Sequence, residues 1–311
     1  LADYDRLLVT GATGFIGRWV LAHWAEHHPG TEVWSTSEKP CPDGFPPDRY
    51  RQIDLLSSGE VRALVAECRP SAVVHLASLL TGGGLADFLS VNVLGTETLY
   101  RSLAEECGDA SVVQVGSAAM YGRLNPDEIP VTEDTPFRPV TDYALSKAAQ
   151  DHLSHVMALG TDLRIMRARF FNILGPGQPE HLVPATFVSQ LREMPGGAPP
   201  VLRVGDVSAR RDFLDVRDAV SALDALLDRG TNARAYNVAS GVDMSVEDVI
   251  RKLMDASGRR VELKTEEGRL RPLDVPVVRA DVSRITGETG WGPAIDVETS
   301  LTDMWGSEGP A

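Results

Sequence analysis

Tyr143 and Lys147 stand four residues apart in Thr141-Asp142-Tyr143-Ala144-Leu145-Ser146-Lys147. On a helix that spacing puts both side chains on one face, a turn apart. An ammonium beside a phenol favours the phenolate, so the phenol's pKa is expected to fall from its ordinary value of about 10. A phenol tuned in this way gives a proton to a developing alkoxide, or takes one from an alcohol, near neutral pH. The pair alone also suits a plain exposed helical face. Its meaning therefore depends on the elements that would position it.

Those elements begin at the first apolar run. Arg6-Leu7-Leu8-Val9-Thr10 reads as a buried strand ended by glycine. Gly11-Ala12-Thr13-Gly14-Phe15-Ile16-Gly17 follows, and then a helical run from Arg18 to His27. Strand, glycine turn and helix is the setting a dinucleotide site requires. In this G-x-x-G-x-x-G spacing Gly11 permits the tight turn, Gly14 lets backbone approach a pyrophosphate, and Gly17 lets the helix pack on the strand. The helix N-terminus offers its N–H groups to the phosphates. Glu32 to Thr36 is a second strand. Beyond it, Ser37 and Lys39 suit a 2′-phosphate while Glu38 opposes one, a mixed signal that tips slightly to NADPH over NADH.

Tyr50 to Asp54 reads as a third strand, with Asp54 placed either to accept from an adenine amino group or to cap the next helix, Ser58 to Cys68. Ala72-Val73-Val74-His75-Leu76-Ala77-Ser78 is a fourth strand, and His75 in it reads as a packed core histidine rather than a catalyst. A long helix from Leu85 to Glu106 carries Asn92. Ser111 to Gly116 is a fifth strand that delivers Ser117 to the carboxyl edge of the sheet, where ligands of open α/β sheets bind. After a proline-punctuated loop from Val131 to Val140, Asp142 to Leu159 is the helix bearing Tyr143 and Lys147, and Asp162 to Phe170 is a sixth strand. Strands alternating with helices predict an α/β fold: a doubly wound parallel sheet of Rossmann type. Residues 1–171 plus 212–239 are expected to form that dinucleotide-binding domain. Residues 172–211 plus 240–311 are expected to form a smaller α/β lobe closing over the sheet edge, with 172–179 as a loop.

The 311 residues, 43% of them hydrophobic, are ample for a large core. A net charge of −14 repels phosphate backbones and argues against nucleic acid as a partner. Cys41, Cys68 and Cys107 show neither metal spacing nor a disulfide framework, which fits a reducing cytoplasm. No apolar run is long enough to span a bilayer, and the first residues do not read as a signal peptide. A cytoplasmic protein with no metal is the expectation.

Taken in order, these pieces resemble the extended short-chain dehydrogenase/reductase family over nearly the whole chain. The resemblance rests on the glycine turn, Asp54-Leu55, His75-Leu76-Ala77-Ser78, Asn92-Val93-Leu94-Gly95-Thr96, Gly116 to Gly122, Tyr143-x-x-x-Lys147, Arg169 to Gln178, Arg211-Asp212-Phe213 and Tyr236-Asn237-Val238. It implies a bound NAD(P)H lined by Gly11, Thr13, Gly14, Phe15, Ile16, Gly17, Ser37, Asp54, Leu55, Leu76, Ala77, Ser78, Asn92, Tyr143 and Lys147. It implies Tyr143 as general acid, Lys147 as the cation that tunes it and holds the nicotinamide ribose, and Ser117 as a hydrogen-bond donor to the reacting oxygen. Ser117, Asn172, Arg211 and Arg271 would face a nucleotide-sugar substrate, the last three at its pyrophosphate.

Val204-Gly205-Asp206, Arg211 to Asp218 and Arg269 to Pro276 are similar to reductases of GDP-linked 4-keto-6-deoxy sugars. The implied reaction is NAD(P)H-dependent reduction of the C4 ketone. A 4-epimerase with tightly held NAD is the alternative, and a non-catalytic dinucleotide-binding protein a third reading. Related 4,6-dehydratases place Asp-Glu directly after the Ser117 position, where this chain has Ala118-Ala119. The close reductases often carry Glu at the position of Ala119. The resemblance also implies a homodimer through the helices of Asn92 and Tyr143, with Leu99, Leu103, Leu153 and Val156 as apolar candidates that would serve equally as core.

Overall fold

The structure, a computed structural model, describes residues 4–194, 201–266, 268, 276–307 and 309–310. Its main sheet opens with β1 (Arg6–Thr10), β2 (Glu32–Ser37), β3 (Tyr50–Gln52), β4 (Ala72–His75), β5 (Ser111–Ser117) and β6 (Arg164–Phe170). A late strand, Ala235–Val238, here β10, completes seven strands in the order β10-β6-β5-β4-β1-β2-β3. All its pairings are parallel. The chain winds outward from β1 to β3, then returns to place β4 on the other side of β1. That reversal opens a crevice at the carboxyl ends of β1 and β4, where ligands of such sheets lie.

Successive side chains of a strand face opposite sides, and here both sides are covered. Leu7, Val9, Val74 and Val113 join one apolar cluster. Their neighbours Leu8, Val73 and Val112 join another. Helices α1 (Phe15–His27), α2 (Ser58–Cys68), α3 (Leu85–Leu89), α4 (Gly95–Glu106) and α5 (Asp142–Gly160) cover these strands. This double burial is why the strands read as continuous apolar runs rather than alternating ones.

After β6 come β7 (Asn172–Leu174), α6 (Ala185–Glu193), β8 (Val201–Val204), β9 (Arg210–Asp215) and α7 (Val216–Arg229). Beyond β10 lie β11 (Asp243–Ser245), α8 (Val246–Ser257), β12 (Glu262–Thr265), β13 (Val277–Val278), α9 (Ser283–Thr289) and α10 (Val297–Gly306). β9 is the spine of a second sheet and pairs with β7, β11 and β13. α7 then returns to the main sheet, where Leu223, Leu226 and Leu227 enter its core. Asp224 on α7 accepts from both His23 and His28 at 3.0 and 2.8 Å, pinning the end of α1 to α7.

Several expectations need correction. The stretch after Phe171, expected as a loop, starts with β7. β9 runs through Arg210–Asp215, so the expected boundary between 211 and 212 falls inside one strand. The single helix expected from Leu85 to Glu106 is broken by a π-helical turn, Ser90–Leu94, centred on Asn92. A π turn inserts a residue without altering local propensity, so periodicity does not reveal it. β9, β11, β12, β13 and α9 are short, and their partners lie far along the chain, so they left no periodic signal.

Candidate active site

The glycine turn is shaped by contacts that forbid side chains. Gly11 sits at φ +69, and a Cβ there would lie 2.8 Å from the Ala77 nitrogen at the end of β4. A Cβ on Gly17 would meet the Gly11 and Ala12 carbonyl oxygens at 2.6 Å. Gly14 precedes α1, which has no side-chain cap and no acidic residue in its first turn. An uncapped, acid-free helix N-terminus behind a side-chain-free turn suits a pyrophosphate. Phe15 and Ile16 form the first turn, and Ile16 packs on the core behind it. The residues present therefore fit a dinucleotide.

At the end of β2, Ser37 Oγ accepts from Thr13 Oγ1 and from the Lys39 N–H, both at 3.1 Å. Tyr50 Oη donates to the Lys39 carbonyl, so the Ser37 proton goes to Tyr50 Oη at 2.7 Å. Ser37 is thus fully engaged within the protein. Asp54 is exposed, and its carboxylate accepts from the Leu56 N–H at 2.9 Å, so it shapes its own turn and does not cap α2. Leu55 is buried beside Gly95 on α4, where an added Cβ would approach it to 3.1 Å. Leu76 packs on the core. Ala77 donates to Thr10 Oγ1, and Ser78 donates to Asn92 Oδ1 at 3.0 Å. Asn92 is fully buried, and its amide also donates to Leu79 O and to Ser146 Oγ at 2.9 Å. It thereby ties the exit of β4 to α5.

α5 is started by Thr141, whose hydroxyl accepts from the Ala144 N–H. Tyr143 follows in the first turn, half-buried, its ring edge-on to Phe88 with centroids 6.1 Å apart. Burial pushes its phenol up, and a hydrogen bond with Ser117 pulls it partly back. Ser117 closes β5 and caps the short turn that follows by accepting from the Ala119 N–H at 3.2 Å. Lys147 is buried, and its Nζ donates to Val115 O at 2.8 Å and to Gln150 Oε1. Burial pushes the Lys147 ammonium down to about 7, with Asp151 opposing.

The expected lowering of the Tyr143 pKa is therefore corrected. The ammonium is engaged by β5 and Gln150, and loss of solvation dominates at the phenol. Its consequence suits reduction: the phenol keeps its proton at neutral pH and is available as a donor.

Behind Lys147, Asp151 is fully buried and accepts from Arg167 on β6 and, through two guanidinium nitrogens at 2.9 Å, from Arg169. Arg169 also donates to Tyr121 Oη at 3.0 Å, and Tyr121 donates to Asn237 Oδ1 at 2.6 Å. This joins α5 to β6, β10 and the turn after β5. Sequence reasoning missed Asp151 and Gln150, which sit four and three residues after Lys147. The available signal was polar residues on the same inward helical face.

On the second sheet, Asn172 donates to the Asp212 carbonyl at 3.1 Å. Arg211, the residue before Asp212 on β9, is half-buried, and its guanidinium donates to the Arg210 carbonyl. Asp212 is fully buried and accepts from the Ser240, Gly241 and Ala280 N–H groups. It locks β9 to the exit of β10. Arg271 lies outside the described residues.

Residues 7–239 match the family model described as the NAD dependent epimerase/dehydratase family. The chain belongs to that family. It is an extended short-chain dehydrogenase/reductase and an NAD(P)-dependent enzyme. It is 32% identical over 302 residues to a GDP-6-deoxy-D-mannose reductase of Pseudomonas aeruginosa, covering 96% of this chain and 95% of the relative. It is 33% identical over 320 residues to a dTDP-glucose 4,6-dehydratase of Streptomyces griseus, covering 95% and 91%. The structure of RMD from Pseudomonas aeruginosa complexed with NADPH superimposes with a TM-score of 0.84 at 30% identity, covering 97% of this chain and 96% of that one. Among the described residues, no helix of this family member is long and apolar enough to cross a membrane.

Proposed function

We propose that this enzyme reduces the C4 ketone of a nucleotide-linked 4-keto-6-deoxy sugar, with a GDP-linked sugar favoured and NADPH preferred over NADH. The observation that carries reduction over dehydration is Ala118-Ala119, in the turn directly after Ser117. A dehydratase needs an acid and a base at that point to expel water, and methyl groups move no protons. Similarity to a GDP-6-deoxy-D-mannose reductase supports the sugar, and a relative complexed with NADPH supports the cofactor.

The dinucleotide is read as lying along the glycine turn, with Gly11, Gly14 and Gly17 at its phosphates and Ser37 and Asp54 toward its adenosine. Leu76, Ala77, Ser78 and Lys147 line the nicotinamide end. When bound, the reduced nicotinamide supplies hydride to the carbonyl carbon. Tyr143 gives its proton to the carbonyl oxygen as negative charge develops there. Ser117 holds the same oxygen and steadies the phenolate left behind. Asn172 and Arg211 hold the diphosphate from the smaller lobe, and Arg211 supplies the planar fork that phosphate oxygens match.

The deciding experiment is a panel of GDP-, dTDP- and UDP-linked 4-keto-6-deoxy sugars assayed with NADPH and with NADH. The expected outcome is stoichiometric oxidation of added NADPH with the GDP-linked ketone. Interconversion of 4-hydroxy epimers by protein that retains NAD, with no added cofactor, would replace this reading by a 4-epimerase.

The homodimer belongs to the same reading. Leu99 and Leu103 are completely buried in the core beneath α4, so they do not serve an interface. Leu145, Val156 and Leu159 lie exposed along the outer face of α5, and Leu94 lies exposed at the start of α4. An apolar stripe of this kind matches a four-helix contact between two copies. Val156→Glu is expected to convert a dimer to a monomer in light scattering with unchanged secondary structure. A wild-type protein that is monomeric at all concentrations would remove the dimer.

A further inference from the structure

Lys147 is held in place by side chains that have no part in hydride or proton transfer. Gln150 is fully buried, three residues along α5. Its Oε1 accepts from Lys147 Nζ and from Gln114 Nε2, and its Nε2 donates to Thr96 Oγ1 at 2.7 Å. An ammonium only donates, so the amide has one orientation, with oxygen toward Lys147. Thr96 gives its single proton to the Asn92 carbonyl at 2.8 Å, so it accepts from Gln150 and from His75 Nε2, 2.8 Å away. His75 therefore carries its proton on Nε2 and accepts at Nδ1 from Thr10 Oγ1 at 2.7 Å. Thr10 Oγ1 in turn accepts from the Ala77 N–H, beside the Gly11 turn. Thr10, Thr96 and Gln150 are 0% exposed and His75 is 1% exposed. Burial pushes the His75 imidazole down to about 3, with the charge of Lys147 adding to the effect, so it stays neutral.

We propose that Gln150 is a positioning residue for Lys147, held by Thr96 and His75, that fixes the direction in which the ammonium presents its remaining N–H to the site. The carbonyl of Val115 and the amide oxygen of Gln150 take two of its three protons. The buried chain from Gln150 through Thr96 and His75 to Thr10 cannot swing without stranding a donor or acceptor, so the lysine is pre-aimed. The inference rests on the reading of Tyr143 and Lys147 as the reacting pair.

The groups around Lys147 define what a test must separate. Asp151 on its own helix attracts it and is itself held by Arg167 and Arg169 of β6. His75 of β4 and Gln114 of β5 are neutral, and Tyr143 lies one turn back. The chain has only four lysines, Lys39, Lys147, Lys252 and Lys264, so the Lys147 side-chain signal is assignable by NMR through Lys147→Arg.

Gln150→Glu puts a carboxylate on the ammonium and is expected to raise the Lys147 titration midpoint by about one pH unit or more. Gln150→Leu removes an acceptor and is expected to lower it. The alkaline limb of kcat/KM for NADPH-dependent reduction should move with the midpoint, while the other three lysines titrate as before. A merely structural glutamine would lower thermal stability and leave the midpoint in place. If Gln150→Leu fails to fold, the near-isosteric Gln150→Glu decides alone. An unmoved midpoint in Gln150→Glu overturns the inference. If the midpoint moves while Tyr143→Phe stays fully active, the positioning stands and the reading of the reacting pair fails.

Discussion

Tyr143→Phe is expected to lower kcat by about 10²–10⁴-fold, the range for removal of a positioned general acid. The ring remains, so its edge contact with Phe88 and the start of α5 remain with it. NADPH affinity, read by fluorescence titration, should change little, because the glycine turn is untouched. The loss should appear in kcat and kcat/KM together, as it does when an interaction made only in the transition state is removed. Burial keeps the phenol protonated through neutral pH, the form that the proposed role as proton donor requires. Wild-type turnover in the phenylalanine variant would remove Tyr143 from the chemistry.

Asp151→Ala is expected to cost about 3–5 kcal/mol of folding stability, the penalty for leaving buried charge without its partner. Arg167 and Arg169 are 9% and 4% exposed, and Asp151 serves both. Removing it strands two guanidinium groups between α5 and β6. Burial alone would push the Asp151 carboxyl up, but Arg169 and Arg167 outweigh it and hold it below the ordinary carboxylate range. Its contribution is therefore complete above that range and is lost as acid brings the pH down through the folded-state value. Urea unfolding at neutral pH measures the loss. A variant within about 0.5 kcal/mol of wild type, the scatter of an ordinary surface change, would show that Asp151 carries no such load.

Much of the scaffold could be read from local pattern. The apolar runs that became β1, β4 and β5 are nearly continuous because both faces of the sheet are covered. The glycine turn was legible because Gly11 and Gly17 sit where backbone crowds backbone, a constraint no other residue type satisfies. The helix bearing Tyr143, read from the sequence over Asp142 to Leu159, is Asp142–Gly160 in the structure. The second sheet was not legible. Asp212 of β9 is bound by N–H groups of Ser240, Gly241 and Ala280, contacts that sequence spacing does not announce. The π turn at Asn92 escaped for a related reason. In that turn one amide meets Leu79 and Ser146 at once, partners that spacing along the chain does not reveal.

Residue types and spacing by themselves determined the doubly wound parallel sheet, the dinucleotide turn and the presence of a phenol and an amine one helical turn apart. Each of these follows from interactions within a few residues or from a simple apolar period. Only the tertiary structure decided where the protons reside. The phenol is raised rather than lowered, because solvent exclusion and the partners of Lys147 come from β5, from Gln150 and, through Thr96 and His75, from α4 and β4. Electrostatic free energies depend on the distance and solvation of groups remote in sequence, and those become defined only when the chain has packed.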